Sequence, residues 1–340
     1  MRFLRKLAIL FVLLVGAALG FYLYLHNQLQ SPHSAGASPV IVEIPKGSHT
    51  REVVHLLHEK NIIGSENVML ALLVLTGNRG RLQAGEYLFD HAMSPKEVID
   101  KLANGRVYLH KFTVPEGLTL RQTAGKWEEE GFGSTDEFLS AADTAVPLIL
   151  DLDAGAKTLE GYLFPETYSF PSHTTARQAV EAMVGRFHEV IEKLRESVPA
   201  DHWPANLGPT VILASIVESE AMHDEERPLI SSVYQNRLRK KMLLQCDTTV
   251  IYALERENQY RGKLSLRDLK FDSRYNTYVY PGLPPGPIMN PGYNSLMAAF
   301  QPAGTNYIYF VRTNGGRHIF SETLAAHNFA VAQYRAMSHQ

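Results

Sequence analysis

A single cysteine, Cys246, in a chain of 340 residues leaves no intrachain disulfide, so the fold must be held by its core. Cys246 itself is expected to be a small buried filler. Charge of one sign is also lacking. There are 33 basic residues against 35 acidic ones, and no long run of Lys or Arg. The electrostatic footprint of a nucleic-acid binder is therefore missing, and that class is excluded. Metal-site spacing is absent too. His55 and His58 stand at helical spacing, but no His-Glu-x-x-His and no cysteine pair occurs, so neither metal nor cofactor is expected. What the chain does have is a 45% hydrophobic composition, enough for one large domain or two modest ones.

The first long feature is apolar. Leu7 to Leu25 carries no charge. A helix of that length rises about 29 Å, close to the roughly 30 Å hydrocarbon core of a bilayer. Arg2, Arg5 and Lys6 precede it and no Lys or Arg follows until Lys46, which puts residues 1–6 in the cytoplasm and the rest outside. Gly16-Ala17-Ala18 offers small residues for signal cleavage. The apolar run continues past them through Phe21-Tyr22-Leu23, longer than a signal peptide needs, so residues 7–25 read as a transmembrane anchor. Residues 26–39, polar and rich in Ser, Pro, Gly and Ala, read as a linker.

Folded sequence begins at Val40. Ile44-Pro45-Lys46-Gly47 is echoed by Val114-Pro115-Glu116-Gly117, each a β-branched run that meets Pro-x-Gly before a helical pattern. Ala84-Gly85-Glu86-Tyr87-Leu88-Phe89 is echoed more faintly by Glu160-Gly161-Tyr162-Leu163-Phe164. Either the chain contains a repeat or strand-turn-helix units have converged on the same punctuation. Both readings predict small α+β units over residues 40–155, before a further domain at 156–336. Within the latter, Thr175 to Glu196 repeats apolar residues at helical spacing (Ala179, Met183, Phe187, Val190, Ile191, Leu194), and Glu226 to Met242 reads as another helix. Tyr307–Arg312 and Arg317–Phe320, joined at Asn314-Gly315-Gly316, read as a hairpin before a last helix from Leu324.

Pro209 to Met222 is apolar nearly all round, as a buried helix is, yet carries Glu218 and Glu220. At 100° per residue these face about 200° apart and cannot form a dyad from one helix. A carboxyl against apolar surface has its charged form disfavoured, which prepares a general acid. Pairing with Arg227, Arg237 or Arg239 is the structural alternative. Downstream, Gln245-Cys246-Asp247-Thr248-Thr249 and Tyr275-Asn276-Thr277-Tyr278 are dense in groups that donate, accept and stack, which suits a sugar polymer as well as an ordinary surface loop. Pro281-Gly282-Leu283-Pro284-Pro285-Gly286-Pro287 can only be a rigid loop.

Six segments in one order carry a resemblance: Ala214-Ser-Ile-Val-Glu218, Val233-Tyr-Gln-Asn236-Arg-Leu238, Leu244-Gln-Cys-Asp247, Tyr275-Asn-Thr-Tyr278, Gly282-Leu-Pro-Pro-Gly-Pro-Ile288 and Asn290-Pro-Gly292. Together they are similar to the endolytic murein transglycosylases, the YceG-like or MltG family, over about Ile41 to Tyr334. The resemblance implies an α+β fold: a small LysM-like α/β module, then a mixed α+β catalytic domain with a buried catalytic helix. It implies cleavage of the MurNAc-GlcNAc β-1,4 bond in nascent strands, leaving 1,6-anhydro-MurNAc ends, in cell wall assembly and in terminating strand elongation. It puts the catalytic glutamate at Glu218. It lines the groove with Asn236, Gln245, Asp247, Tyr275, Asn276, Thr277 and Tyr278, and with Pro284 and Pro285 of the rigid loop. Two departures, Cys246-Asp-Thr-Thr249 where the family often has Thr-Asp-Pro-Thr and Ala326 where it often has Glu, leave Cys246, Thr248 and Ala326 without an assigned role.

Such a reaction needs no water, so one carboxyl can serve twice, giving a proton to the glycosidic oxygen and taking one from the C6 hydroxyl. Expected partners are peptidoglycan strands, the membrane and peptidoglycan synthases. The expected location is the inner (cytoplasmic) membrane, single-pass, with the N-terminus cytoplasmic and the catalytic domain outside. One rival is a non-catalytic LysM-like scaffold, where a buried glutamate would have little purpose. Another is a cysteine peptidase using Cys246 with His318 or His327, but Asp247 is the wrong neighbour for a thiolate.

Overall fold

The computed structural model describes residues 2–32 and 39–338, a mixed α+β chain of twelve α-helices and six short strands among the described residues. It divides into two compact units, one of residues 1–110 with 169–173 and the other of residues 111–168 with 174–340. The cut falls at His110, earlier than the boundary expected at 155. The reason lies in packing: the helices that follow His110 bury their apolar faces with those of the second unit, as Phe138 and Ala142 do beside the long helix over 176–197.

The first unit opens with α1 (Arg2–Gln30), whose Arg5–Gln30 stretch is long and apolar enough to cross a membrane. The helix runs beyond Leu25 into the stretch read as a linker, because Leu25 and Leu29 are buried in this unit's core. Residues 33–38, the rest of that expected linker, lie outside the described residues. Then come β1 (Val40–Ile44), α2 (Thr50–Glu59), α3 (Glu66–Leu75), β2 (Gly85–Phe89) and α4 (Pro95–Ala103). β1 and β2 pair antiparallel, Val42 opposite Tyr87, with both side chains turned into the core. Val53, Val54 and Leu57 of α2 and Met69, Leu72 and Leu73 of α3 fill it from above. Ser94 and Glu97 cap α4 reciprocally, each satisfying a backbone amide of the other.

The second unit repeats the opening. β3 (His110–Thr113, in this unit from Lys111), α5 (Leu120–Glu129), α6 (Thr135–Ala145) and β4 (Thr167–Phe170, in this unit to Tyr168) follow in the same order, and β3 pairs with β4. The Pro-x-Gly turns also match: Gly47 has φ +84° and Gly117 φ +81°, a left-handed conformation that favours glycine. The second copy packs its core around Trp127, stacked on Phe132 and edge-on to Phe112.

The remaining elements are α7 (Ala176–Ser197), α8 (Gly208–Glu220), α9 (Arg227–Arg239), α10 (Asp247–Arg256), α11 (Tyr293–Phe300), β5 (Tyr309–Arg312), β6 (His318–Ser321) and α12 (Leu324–Ser338). α7 buries all six apolar positions that its periodicity marked. α8 is the core helix, every residue from Val211 to Val217 being buried. α9 and α11 pack against it. β5 and β6 form the expected hairpin, and Glu226 accepts from the His318 backbone amide at 3.0 Å, tying the hairpin to the start of α9.

Candidate active site

The two glutamates of α8 face different surroundings, as their angular separation requires. Glu218 has its side chain 6% exposed, Oε1 3.1 Å from Nη1 of Arg227, and Oε2 accepting the Gly292 amide at 2.9 Å. The expected apolar wall is not what Glu218 meets; it meets a cation and a backbone donor. Arg227 can sit there because Pro228 puts it at the start of a helix whose first turn packs beside α8. Burial disfavours the charge of Arg227, but Asp224, bonded to Nε at 2.8 Å, and Glu218 more than offset it and raise its pKa. Nη1 also donates to the hydroxyl of Ser295 on α11.

Glu220, on the other side of α8, is desolvated among the polar groups of Cys246, Asp247, His318 and Arg312. Burial raises its pKa, partly opposed by a hydrogen bond from Cys246 Sγ at 3.2 Å. The thiol of Cys246 is buried as expected, and burial beside Glu220 pushes it up to about 12. A thiol held protonated next to a carboxyl is no nucleophile. Of the two rival partners, His318 gives its Nδ1 to Glu226 at 2.8 Å. The cysteine-peptidase reading therefore has no chemistry to run on.

Loops distant in sequence converge on α8. Ser215 Oγ accepts the Ile288 amide at 3.1 Å, which fixes the proline loop, and Ser219 bonds Thr248 hydroxyl to hydroxyl at 2.6 Å, which fixes the Gln245–Thr249 segment. Asn290, fully buried, is the buckle. Its Oδ1 accepts the amides of Gly161 and Leu163 at 3.0 and 3.2 Å, and its Nδ2 donates to the Leu118 carbonyl at 2.9 Å.

The expected groove residues divide by exposure. Gln245 and Asp247 are exposed, and Tyr278, half-buried, donates its hydroxyl to Asp247 at 2.6 Å. Tyr275, half-buried, packs on Tyr252 with the Arg256 guanidinium over both rings. Pro285 is exposed and Pro284 buried. Asn236, Asn276 and Thr277 are buried with their polar atoms committed. Asn236 donates to the Thr305 and Tyr307 carbonyls, Asn276 to those of Leu269 and Phe271, and Thr277 accepts the Cys246 amide. These three hold the loops in shape and offer a ligand no free group in this conformation. The sequence reading took Arg227 only as a structural pairing partner, quoted Asn290 and Gly292 only within a motif, and read Glu116 only as turn punctuation. Glu116 lies in the Pro-Glu-Gly turn with Oε2 3.8 Å from Arg227 Nη2. No group of His, Cys, Asp and Glu suited to a metal occurs among the described residues.

One carboxyl, desolvated on a rigid helix and held by a guanidinium on one oxygen and an amide on the other, is the equipment of an acid/base enzyme with a single proton carrier. The chain belongs to the YceG-like family, whose profile matches residues 42–333. It is 32% identical to the endolytic murein transglycosylase of Bacillus subtilis, over 93% of this chain and 90% of that one. It is 28% identical to the endolytic murein transglycosylase of Streptococcus pneumoniae (strain D39), over 92% of this chain and 61% of that one. A 2.6 Å crystal structure of a putative YceG-like protein from Listeria monocytogenes matches with a TM-score of 0.58 and 33% identity, covering 87% of this chain and all of that one.

Proposed function

We propose that this chain is an endolytic lytic transglycosylase of peptidoglycan with Glu218 as its acid/base catalyst. The observation that carries the reading is the placement of Glu218, in a family whose relatives bear that activity in their names, between a buried guanidinium and the Gly292 amide. In the reaction, protonated Glu218 gives its proton to the glycosidic oxygen between MurNAc and GlcNAc. The C1–O bond breaks and GlcNAc leaves as the alcohol. Ionised Glu218, steadied by Arg227, then takes the C6 hydroxyl proton while that oxygen bonds to C1, closing the 1,6-anhydro ring. Glu218 ends protonated, ready for the next bond. Gln245, Asp247, Tyr275, Tyr278 and Pro285 offer polar groups, ring faces and a rigid edge to the sugars on either side, while Pro284, Asn236, Asn276 and Thr277 keep that surface in shape.

The βααβ arrangement of the first unit, with its antiparallel ribbon, supports a LysM-like glycan-binding module. A groove of about 670 Å³, lined by His49, Arg51, Leu70, Val74 and Arg79 among others, is large enough for sugar residues. α1 supports a single-pass anchor in the cytoplasmic membrane with the enzyme outside, where peptidoglycan synthases work. Protease added to spheroplasts should digest the bulk of the chain; full protection would overturn that topology.

Mass spectrometry of muropeptides after digestion of glycan strands tests the activity. Products ending in 1,6-anhydro-MurNAc are expected. Reducing ends alone would mean a water-using hydrolase and sink the mechanism, and intact strands would leave only the glycan-binding scaffold.

A further inference from the structure

Both groups that hold Glu218 also touch a second carboxyl, Glu116. Arg227 reaches Glu218 through Nη1 at 3.1 Å and lies 3.8 Å from Glu116 Oε2 through Nη2. Gly292, whose amide donates to Glu218 Oε2, has its α-carbon against the Glu116 carboxyl, so close that a β-carbon there would overlap it. The turn that carries Glu116 is itself pinned beside the catalytic carboxyl. The Gly117 amide donates to the Asn290 carbonyl at 3.0 Å, and a β-carbon on Gly117 would stand 3.8 Å from Glu218 Cγ. The turn does not need an acid to form. Its counterpart in the first repeat has Lys46 at the same place and the same left-handed glycine after it.

We propose that Glu116 is a positioning residue for Glu218: the two carboxyls form a pair around one guanidinium, and Glu116, acting through Arg227 and Gly292, keeps on Glu218 the proton that the glycosidic oxygen receives. This deepens the transglycosylase reading and rests on it. The charge count around the site supports it. Glu116 comes from the turn before α5, Asp224 from the turn before α9, Arg227 from the start of α9, and Glu218 from α8, so one guanidinium faces three carboxyls. α11 adds the uncharged Ser295 hydroxyl, and Asn294 donates to Asp224. Glu220, the other acid of α8, faces Cys246. The three carboxyls divide the guanidinium between them: Asp224 takes Nε at 2.8 Å, Glu218 lies 3.1 Å from Nη1, and Glu116, 47% exposed, lies 3.8 Å from Nη2. Burial, and then the charge of Glu218, raise the pKa of Glu116 against the pull of Arg227, as coupled carboxyls do.

The test compares full-length wild type, Glu116→Gln and Glu116→Asp on glycan strands across pH. A neighbouring negative charge favours the protonated acid, so removing it should move the basic limb of kcat/KM to lower pH, by about one unit. Above that limb the Gln variant should be about tenfold slower, with KM unchanged, and Asp should restore most of the wild-type profile. A residue that only shaped the turn would lower the rate equally at every pH. An unmoved limb, whether the rate is wild-type or uniformly low, overturns the proposal. A ¹³C titration of glutamate carboxyls needs no substrate: two coupled signals in wild type, and one uncoupled signal in the Gln variant, are expected. Independent titration in wild type would overturn the pair, whereas wild type that yields no anhydro ends would count against the transglycosylase reading alone.

Discussion

Arg227 holds Nη1 3.1 Å from Oε1 of Glu218, with 8% of the arginine side chain and 6% of the glutamate's exposed. A pair so far out of water is expensive to break on one side only, because the remaining charge keeps its desolvation cost and loses its partner. Arg227→Ala should therefore destabilise the protein by about 3–5 kcal/mol, read by urea denaturation. Arg227→Lys keeps the charge but not the fork that serves Asp224, Ser295 and Glu218 together, so it should be more stable than the alanine variant and still cleave slowly. An alanine variant as stable as wild type would show that the pair is dispensable.

Asn290→Ala tests the buckle. The change strands the amides of Gly161 and Leu163, while the Leu118 carbonyl keeps the backbone amide at position 290 as a donor. Each unmet buried group costs about 1–3 kcal/mol, so a loss of at least about 2 kcal/mol is expected in chemical denaturation. A loss below about 1 kcal/mol would mean that the loops hold without it.

Glu160 gives the second unit a pH dependence of known sign. Burial raises its pKa to about 7, against the opposing hydrogen bonds from the Leu120 amide and the Tyr252 hydroxyl. The folded state then binds a proton that the unfolded state, with an ordinary carboxyl, has given up. Stability from this group is fully present below the unfolded value near 4.5 and is lost as pH rises to about 7. The loss is on the order of 3 kcal/mol. Glu160→Gln, which cannot titrate, should show a flatter stability profile between pH 4.5 and 7 than wild type. Parallel profiles would place the proton elsewhere.

The parts of the fold that sequence revealed are those where periodicity or punctuation is local. α7 follows from the spacing of its apolar residues, α8 from a stretch apolar nearly all round, the β5–β6 hairpin from Asn-Gly-Gly, and the two βαα openings from Pro-x-Gly turns that need the same left-handed glycine. The opposed directions of Glu218 and Glu220 follow from helix geometry alone. The rest of the site is assembled from residues far apart in the chain. Glu116 reads as turn punctuation, and only the approach of Gly292 and Arg227 makes it part of the site. Asn236, Asn276 and Thr277 show the opposite difficulty. A polar side chain looks the same in sequence whether it binds a sugar or satisfies a buried backbone group; here Asn236 and Asn276 donate to carbonyls and Thr277 accepts the Cys246 amide.

Which carboxyl of α8 does the chemistry is decided by comparing Glu218→Gln with Glu220→Gln. Gln at 218 keeps the shape and can still accept the Gly292 amide, but has no proton to give and take. Acid/base assistance is worth about 10²–10⁴-fold, and one residue here supplies both halves, so loss at or beyond the upper end is expected. Folding should survive, since a neutral amide is no harder to bury than the acid it replaces. Glu220 points at Cys246 and Tyr234 on the other side of the helix, within a desolvated cluster that no sugar needs to reach. Its Gln variant should act through positioning or stability and retain measurable turnover. Purified variants, checked for folding by circular dichroism, are assayed on glycan strands. Near wild-type cleavage by Glu218→Gln, together with a dead Glu220→Gln, would move the catalytic role to the other face of α8.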